Sequence, residues 1–179
     1  MANTKWVVDP IHSEVQFKVK HLMITTVTGY FRSFNIEALT KDEAFTNVER
    51  VVFTADVNSI STNNDQRDTH LKSPDFFDVE RHNEIRFVAS RYEKVGGSDY
   101  KLHGDLSIRD VTQPITVKVE LGGIVVDPYG QTKAGFTVDG KISRKEFGLT
   151  WNAVTEAGSV VVSDEIRLHA EVQLVKQSV

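Results

Sequence analysis

The chain contains no cysteine among its 179 residues. That excludes a disulfide scaffold, a thiolate metal site and any mechanism with a cysteine nucleophile. Proline occurs only four times, and no Pro-rich linker or low-complexity stretch divides the chain. No apolar run approaches the roughly 18 residues of a membrane-spanning helix, so the chain is not expected to span a bilayer in that way. Positive charge is not in excess either. The 21 Lys and Arg face 25 Asp and Glu, and a net charge of −4 lacks the basic footprint of a nucleic-acid-binding protein. The opening residues, Met1 to Asp9, show no basic segment followed by an apolar stretch. The expectation is a cytoplasmic protein, or a periplasmic or secreted one if a signal has been removed.

What is present is period-two alternation. In the run from His12 to His21, Val15, Phe17 and Val19 share one face, while Glu14, Gln16, Lys18 and Lys20 share the other. Ile115, Val117, Val119 and Leu121 repeat the pattern, as do Ile166, Leu168, Ala170, Val172 and Leu174. Further strands are expected near 24–38, 48–58, 84–95, 99–109 and 131–142. Turn chemistry separates them at Gly96-Gly97-Ser98-Asp99, Gly122-Gly123 and Asp127-Pro128-Tyr129-Gly130. About eight long alternating strands joined by short turns predict an all-β fold, an antiparallel barrel that removes its own edges and has just room for one small ligand. A single domain over 1–179 is expected.

One segment departs from the β pattern. From Asn63 to Pro74 the chain predicts a short helical segment near 64–73, opened by a cap-like Asn63 with Gln66 three residues on and ended by Pro74. Arg67, His70 and Leu71 would project to one side of it, and Asp68 would reach Lys72. Phe76 and Phe77 follow as adjacent aromatics.

These pieces resemble the YceI-like family, polyisoprenoid-binding proteins with a lipocalin-like barrel. The resemblance runs from Trp6 to about Val175. It rests on Trp6, Asp9, His12-Ser13, Val15, Phe17, Val19 and His21; on Gly29, Phe31 and Phe34; on Arg67-Asp68-Thr69-His70-Leu71 with Phe76-Phe77-Asp78; on Gly104, Leu106 and Thr112-Gln113-Pro114-Ile115; and on Ile142 to Gly148. Departures fall in turns and one loop: His82-Asn83 in place of Tyr-Pro, Asp110 in place of Gly, and Glu146 in place of Asp. The resemblance implies a barrel that takes a long isoprenoid or similar apolar lipid, of polyprenyl phosphate or quinone type, for transport, storage or sensing, often as a homodimer. It implies no cofactor and no catalysis.

For that role the inward-facing wall is expected to comprise Val15, Phe17, Val19, Phe31, Phe53, Phe87, Leu106, Ile108, Val117, Val119, Phe136, Ile166 and Leu168. At about 0.3 kcal/mol per heavy atom, a lipid of about 40 carbons gains about 12 kcal/mol from such a wall. Arg67, Asp68, His70, Phe76, Phe77, Arg144, Trp151 and Asn152 complete the ligand-binding candidates at the mouth, and His21 is a further candidate that reads also as a hydrogen-bonded strand-end residue. Alternatives stand beside each. Arg67, Asp68 and His70 read as a polar gate, as a charge-paired capped turn, or as the acid–base loop of an enzyme acting on a lipid-like substrate. Phe76 and Phe77 read as a cover or as ordinary core. Arg144, Trp151 and Asn152 ring a ligand entrance, or Phe147 merely staples its loop. An interaction module with a filled barrel is the third class. The six histidines show no zinc-site spacing, so no metal is expected. Gly-x-Ser-x-Gly and phosphate-cradling motifs are absent.

Overall fold

The computed structural model describes residues 3–152 and 161–177. Its strands are β1 (Thr4–Val8), β2 (Glu14–His21), β3 (Thr25–Phe31), β4 (Phe34–Thr40), β5 (Val48–Asp56), β6 (Ile60–Ser61), β7 (Glu84–Gly96), β8 (Asp99–Ile108), β9 (Val111–Val126), β10 (Thr132–Ser143) and β11 (Val162–Lys176). One helix, α1 (Asp65–Lys72), lies between β6 and β7. Every pairing is antiparallel, and β1 against β11 closes the sheet on itself.

Three of the eight staves of this barrel are broken. β1 and β2 both lie along β11, with Val8 opposite Leu174 and Glu14 opposite Glu171. The break between them is a 3₁₀ turn, Pro10–His12, capped by Asp9 accepting from the Ile11 amide. β3 and β4 likewise form one stave interrupted at Arg32-Ser33, and β5 and β6 one interrupted by the 3₁₀ turn Val57–Ser59. His12 therefore sits on a turn rather than within the strand expected from His12 to His21. The segment expected as one strand over 24–38 is two strands.

These breaks change which parity faces inward. Gly29 and Phe31 are buried on β3, whereas Ile36, Ala38 and Thr40 are buried on β4. Bulges add further shifts at Leu39/Thr40, Ala89/Arg91, Lys94/Gly96 and Gly135/Phe136. An extra residue on one strand bends and twists it, which is what a closing sheet requires.

The two ends are finished differently. At the end holding the 41–47 turn, Phe45 folds back into the barrel with a positive φ of 56°. Its ring lies 4.6 Å from that of Trp6 and 4.8 Å from that of Phe136. Trp6 is fully buried, and its indole N–H donates to Thr40 Oγ1 at 3.0 Å. At the other end β6 leaves the sheet after pairing with β3, and residues 62–83, with α1, cross the space beyond it.

The helix begins one residue later than its sequence suggests. Asn64, not Asn63, is the cap, its side chain accepting from the Arg67 amide at 2.9 Å. Asn63 takes a left-handed φ of 62° that sets up the turn, a conformation Asn tolerates better than most residues. In the turn between β8 and β9 the left-handed residue is Arg109 at 56° and not Asp110.

Candidate functional site

Strand alternation places one apolar row on the inside of each stave, and together the rows enclose a cavity of about 280 Å³. All thirteen wall positions proposed from alternation line it: Val15, Phe17, Val19, Phe31, Phe53, Phe87, Leu106, Ile108, Val117, Val119, Phe136, Ile166 and Leu168. Phe76, Phe77 and Arg144 line it as well. His21, Arg67, Asp68, His70, Trp151 and Asn152 are not among the described lining residues. Sequence reasoning omitted Ile36, Phe45, Val51, Leu71, Ile85, Leu102, Val138, Ile142, Leu149 and Val162 from the wall. Of these, Val51, Ile85, Leu102 and Val138 carry the same alternation as the wall residues beside them.

Polar side chains are scarce among the described lining residues: Gln16, Tyr92, Arg144 and His169. The His169 imidazole is engaged by Asp139 at 2.6 Å and Glu171 at 3.2 Å. The Tyr92 ring stacks on Tyr100 at 4.4 Å, and its hydroxyl is buried without a hydrogen-bond partner among the described residues. Burial pushes the Tyr92 phenol well above its ordinary pKa. An unpaired buried hydroxyl costs about 1–3 kcal/mol. Tyr92→Phe is accordingly expected to raise the free energy of unfolding by about 1 kcal/mol, read as a higher urea midpoint at unchanged slope. An unchanged or lower midpoint would show that the hydroxyl has a partner in solution.

The helix-bearing end is covered by aromatics. Phe76 and Trp151 are 5.3 Å apart, and His70 packs edge-on against both, at 5.2 and 4.7 Å. Phe77 contacts Phe31, which contacts Phe17 on the wall. Phe76 and Phe77 thus form part of the lining at the end opposite the Trp6–Phe45 plug. His70 Nε2 is 2.8 Å from Asp75 Oδ2, which fixes the ring.

Arg67 and Asp68 do something else. Arg67 donates from Nε to Thr62 Oγ1 at 2.7 Å and from Nη2 to the Thr62 carbonyl at 2.6 Å. Asp68 accepts from the Thr62 amide at 2.8 Å and from its hydroxyl at 2.6 Å. The expected Asp68–Lys72 pair does not form, because the carboxylate is spent on Thr62. Both residues lash α1 to the end of β6, so neither shares a reacting centre with His70. Arg67→Ala should cost about 1 kcal/mol of stability and leave ligand affinity as in the wild type, checked by parallel denaturation and binding titrations. Selective loss of affinity for an anionic head group would return Arg67 to head-group duty. His21 is the exposed last residue of β2, in keeping with its reading as a strand-end residue.

Arg144 is 2% exposed and carries the most heavily used side chain of the site. Its guanidinium donates to the carbonyls of Ser163 (2.9 Å), Leu149 (2.7 Å), Trp151 (2.7 Å) and Val162 (3.3 Å). Burial lowers its pKa, and the charge of Asp164 opposes that shift. Asp164 is held below the usual carboxylate range, first by the Ser143 hydroxyl and then by the Lys145 amide. Asn152 bonds both backbone groups of Val162, at 2.7 and 3.1 Å, in the manner of an added strand residue. Arg144 and Asn152 therefore shape the segment that borders the cavity. Among the described residues no three His, Asp or Glu side chains converge where a metal could be held.

A closed up-and-down antiparallel barrel with an apolar interior, plugged at one end and roofed by a short helix at the other, defines a lipocalin-like container. The model of the YceI-like domain family matches residues 6–174, and the chain belongs to that family. A UPF0312 protein of Staphylococcus epidermidis is 34% identical over 173 residues, covering 95% of this chain and 96% of the relative. Another from Pectobacterium carotovorum is 34% identical over 166 residues, covering 93% and 82%. The crystal structure of the Campylobacter jejuni YCEI protein superposes with a TM-score of 0.77 at 30% identity, covering 90% of this chain and 91% of that one. A polyisoprenoid binding domain from Saccharophagus degradans shares the fold, with a TM-score of 0.69 at 14% identity over 96% and 98% of the two chains.

Proposed function

We propose that the chain binds a long apolar lipid of isoprenoid type inside its barrel, for transport, storage or sensing, and that the lipid enters at the helix-bearing end. The single observation that carries this reading is the interior cavity of about 280 Å³ with its nearly unbroken apolar lining. A cavity lined this way offers a hydrocarbon contact on all sides and offers a polar molecule almost nothing. The barrel's likeness to a polyisoprenoid binding domain supports the choice of ligand class. The opposite end supports the direction of access, because Trp6 and Phe45 are buried there against Phe136.

The rival readings fit less well. A filled barrel that serves as an interaction module needs a packed interior, and this one is hollow. Catalysis by Arg67, Asp68 and His70 needs the three to converge, whereas two of them bond Thr62 and the third bonds Asp75.

Organic extraction of the protein purified without detergent tests the proposal. Mass analysis should return one long-chain apolar lipid at close to one copy per barrel. An extract empty of lipid, together with failure to take up a polyprenyl compound added in solution, would overturn it.

A further inference from the structure

The hairpin that joins β2 to β3 is built against its own turn chemistry. Ile24 N–H closes the turn onto the His21 carbonyl at 3.1 Å, and its two central residues, Leu22 and Met23, have φ of 52° and 60°. Positive φ at both central positions is the domain of Asn and Gly, and it strains other side chains. This chain places Leu22-Met23-Ile24 there, with Met23 56% and Ile24 76% exposed. The tip is also anchored to the edge of the cavity. Leu22 N–H donates to the Val161 carbonyl at 2.8 Å, and His21 pairs with Val162, a lining residue.

A second observation on the outer wall points the same way. Lys141 lies opposite Arg167, and Arg167 lies opposite Lys18, so adjacent strands carry three cations in one cross-strand row. Lys20, one step nearer the tip, is exposed. Like charges directly opposed across strands are destabilising. Among the described residues, Glu165, 4.0 Å from Arg167, is the one carboxylate paired with the row. In a chain of net charge −4 this cluster is not expected from composition.

We propose that this rim docks on an anionic lipid bilayer, with Met23 and Ile24 inserted among the acyl chains and Lys20, Lys18, Arg167 and Lys141 against the head groups. Lys20 and then Lys18 follow the tip back along β2, so they stand behind Met23 and Ile24 once the apolar tip is buried at an interface. A cationic strip behind an inserted apolar tip is the arrangement that membrane-surface binding rewards. The inference rests on the lipid-binding reading, since docking here sets the helix-bearing end against the source of its ligand.

Co-sedimentation with mixed phosphatidylcholine–phosphatidylglycerol vesicles and with pure phosphatidylcholine vesicles tests it. The wild type should bind the mixed vesicles and should lose about tenfold in affinity on the neutral ones or at high salt. Met23→Asn with Ile24→Thr should weaken binding by about tenfold or more, and Lys18→Glu with Arg167→Glu by about as much. Asn accepts the left-handed turn and Thr keeps the β-branch, so the first pair should leave the melting curve in place. A wild type that ignores both vesicles, or variants that bind as well as the wild type, would overturn the proposal. So would a fall in oligomeric mass of the first variant at undiminished vesicle binding, which would make the tip a contact with a second copy. Lipid content measured by extraction on the same preparations reads the container function separately, so either idea can fail without the other.

Discussion

Arg144→Ala is expected to lower the free energy of unfolding by about 3–5 kcal/mol, with the urea midpoint falling accordingly. The guanidinium serves four carbonyls drawn from both flanks of one segment: Leu149 and Trp151 on one side, Val162 and Ser163 on the other. Leu149 and Ser163 are themselves buried, so water cannot freely replace the lost donors. Removing a buried donor set leaves its acceptors to bear their desolvation cost, and that asymmetry makes the loss larger than the net worth of the bonds. Arg144→Lys should recover less than half, because one ammonium cannot reach carbonyls that the planar fork spans. If Arg144 instead served an anionic ligand group, the alanine variant would unfold at nearly the wild-type urea concentration and lose only lipid affinity. The distribution of its donors argues that it acts first as a clasp holding the start of β11 to the loop after β10.

How much of this was legible in the sequence depended on how local each cause is. Alternation is local, so the wall rows of β2, β9 and β11 could be read off residues two apart, and Val15, Phe17, Val19, Val117, Val119, Ile166 and Leu168 all line the cavity. Parity was not legible across breaks. Nothing in Arg32-Ser33 announces that the inward set changes from Phe31 to Ile36 and Ala38, because the break answers to the curvature of the whole sheet. Phe45 left no periodic trace at all. It lies in a turn and is interior only because that turn folds into the barrel end against Trp6 and Phe136. The helix was placed within a residue, but its polar partners were not, since Arg67 and Asp68 bond Thr62, which lies before the cap. The packing of His70 on Trp151 joins residues far apart in the chain, and no spacing rule reaches that distance.

Val117→Asp is the substitution expected to separate container from contents most sharply. Val117 is 6% exposed, lines the cavity, faces Leu102 across the strand pair and fits over Gly140, whose missing Cβ leaves the space its methyl occupies. An aspartate there is close to valine in bulk, so β9 can keep its register, but it puts a carboxylate into an apolar lumen. Water drawn in to solvate that charge must be stripped again before a hydrocarbon can lie against the wall. A desolvation cost of about 3 kcal/mol corresponds to a loss of about a hundredfold in lipid affinity at neutral pH. The pH dependence has a fixed sign. Burial raises the carboxyl's folded pKa above its unfolded value of about 3.9, so relative to the wild type the variant is least destabilised at low pH and loses stability as pH rises from the unfolded toward the folded pKa. Lipid retention should follow the same direction, recovering in part in acid, where the group is neutral, and vanishing at alkaline pH. Val117→Thr keeps the valine shape and introduces only a hydroxyl, so it should fold normally and show a smaller loss, which guards against mistaking a damaged barrel for an empty one. If both variants retain wild-type amounts of lipid across this pH range, hydrocarbon does not lie against β9, and the cavity is not the place where this protein holds its ligand.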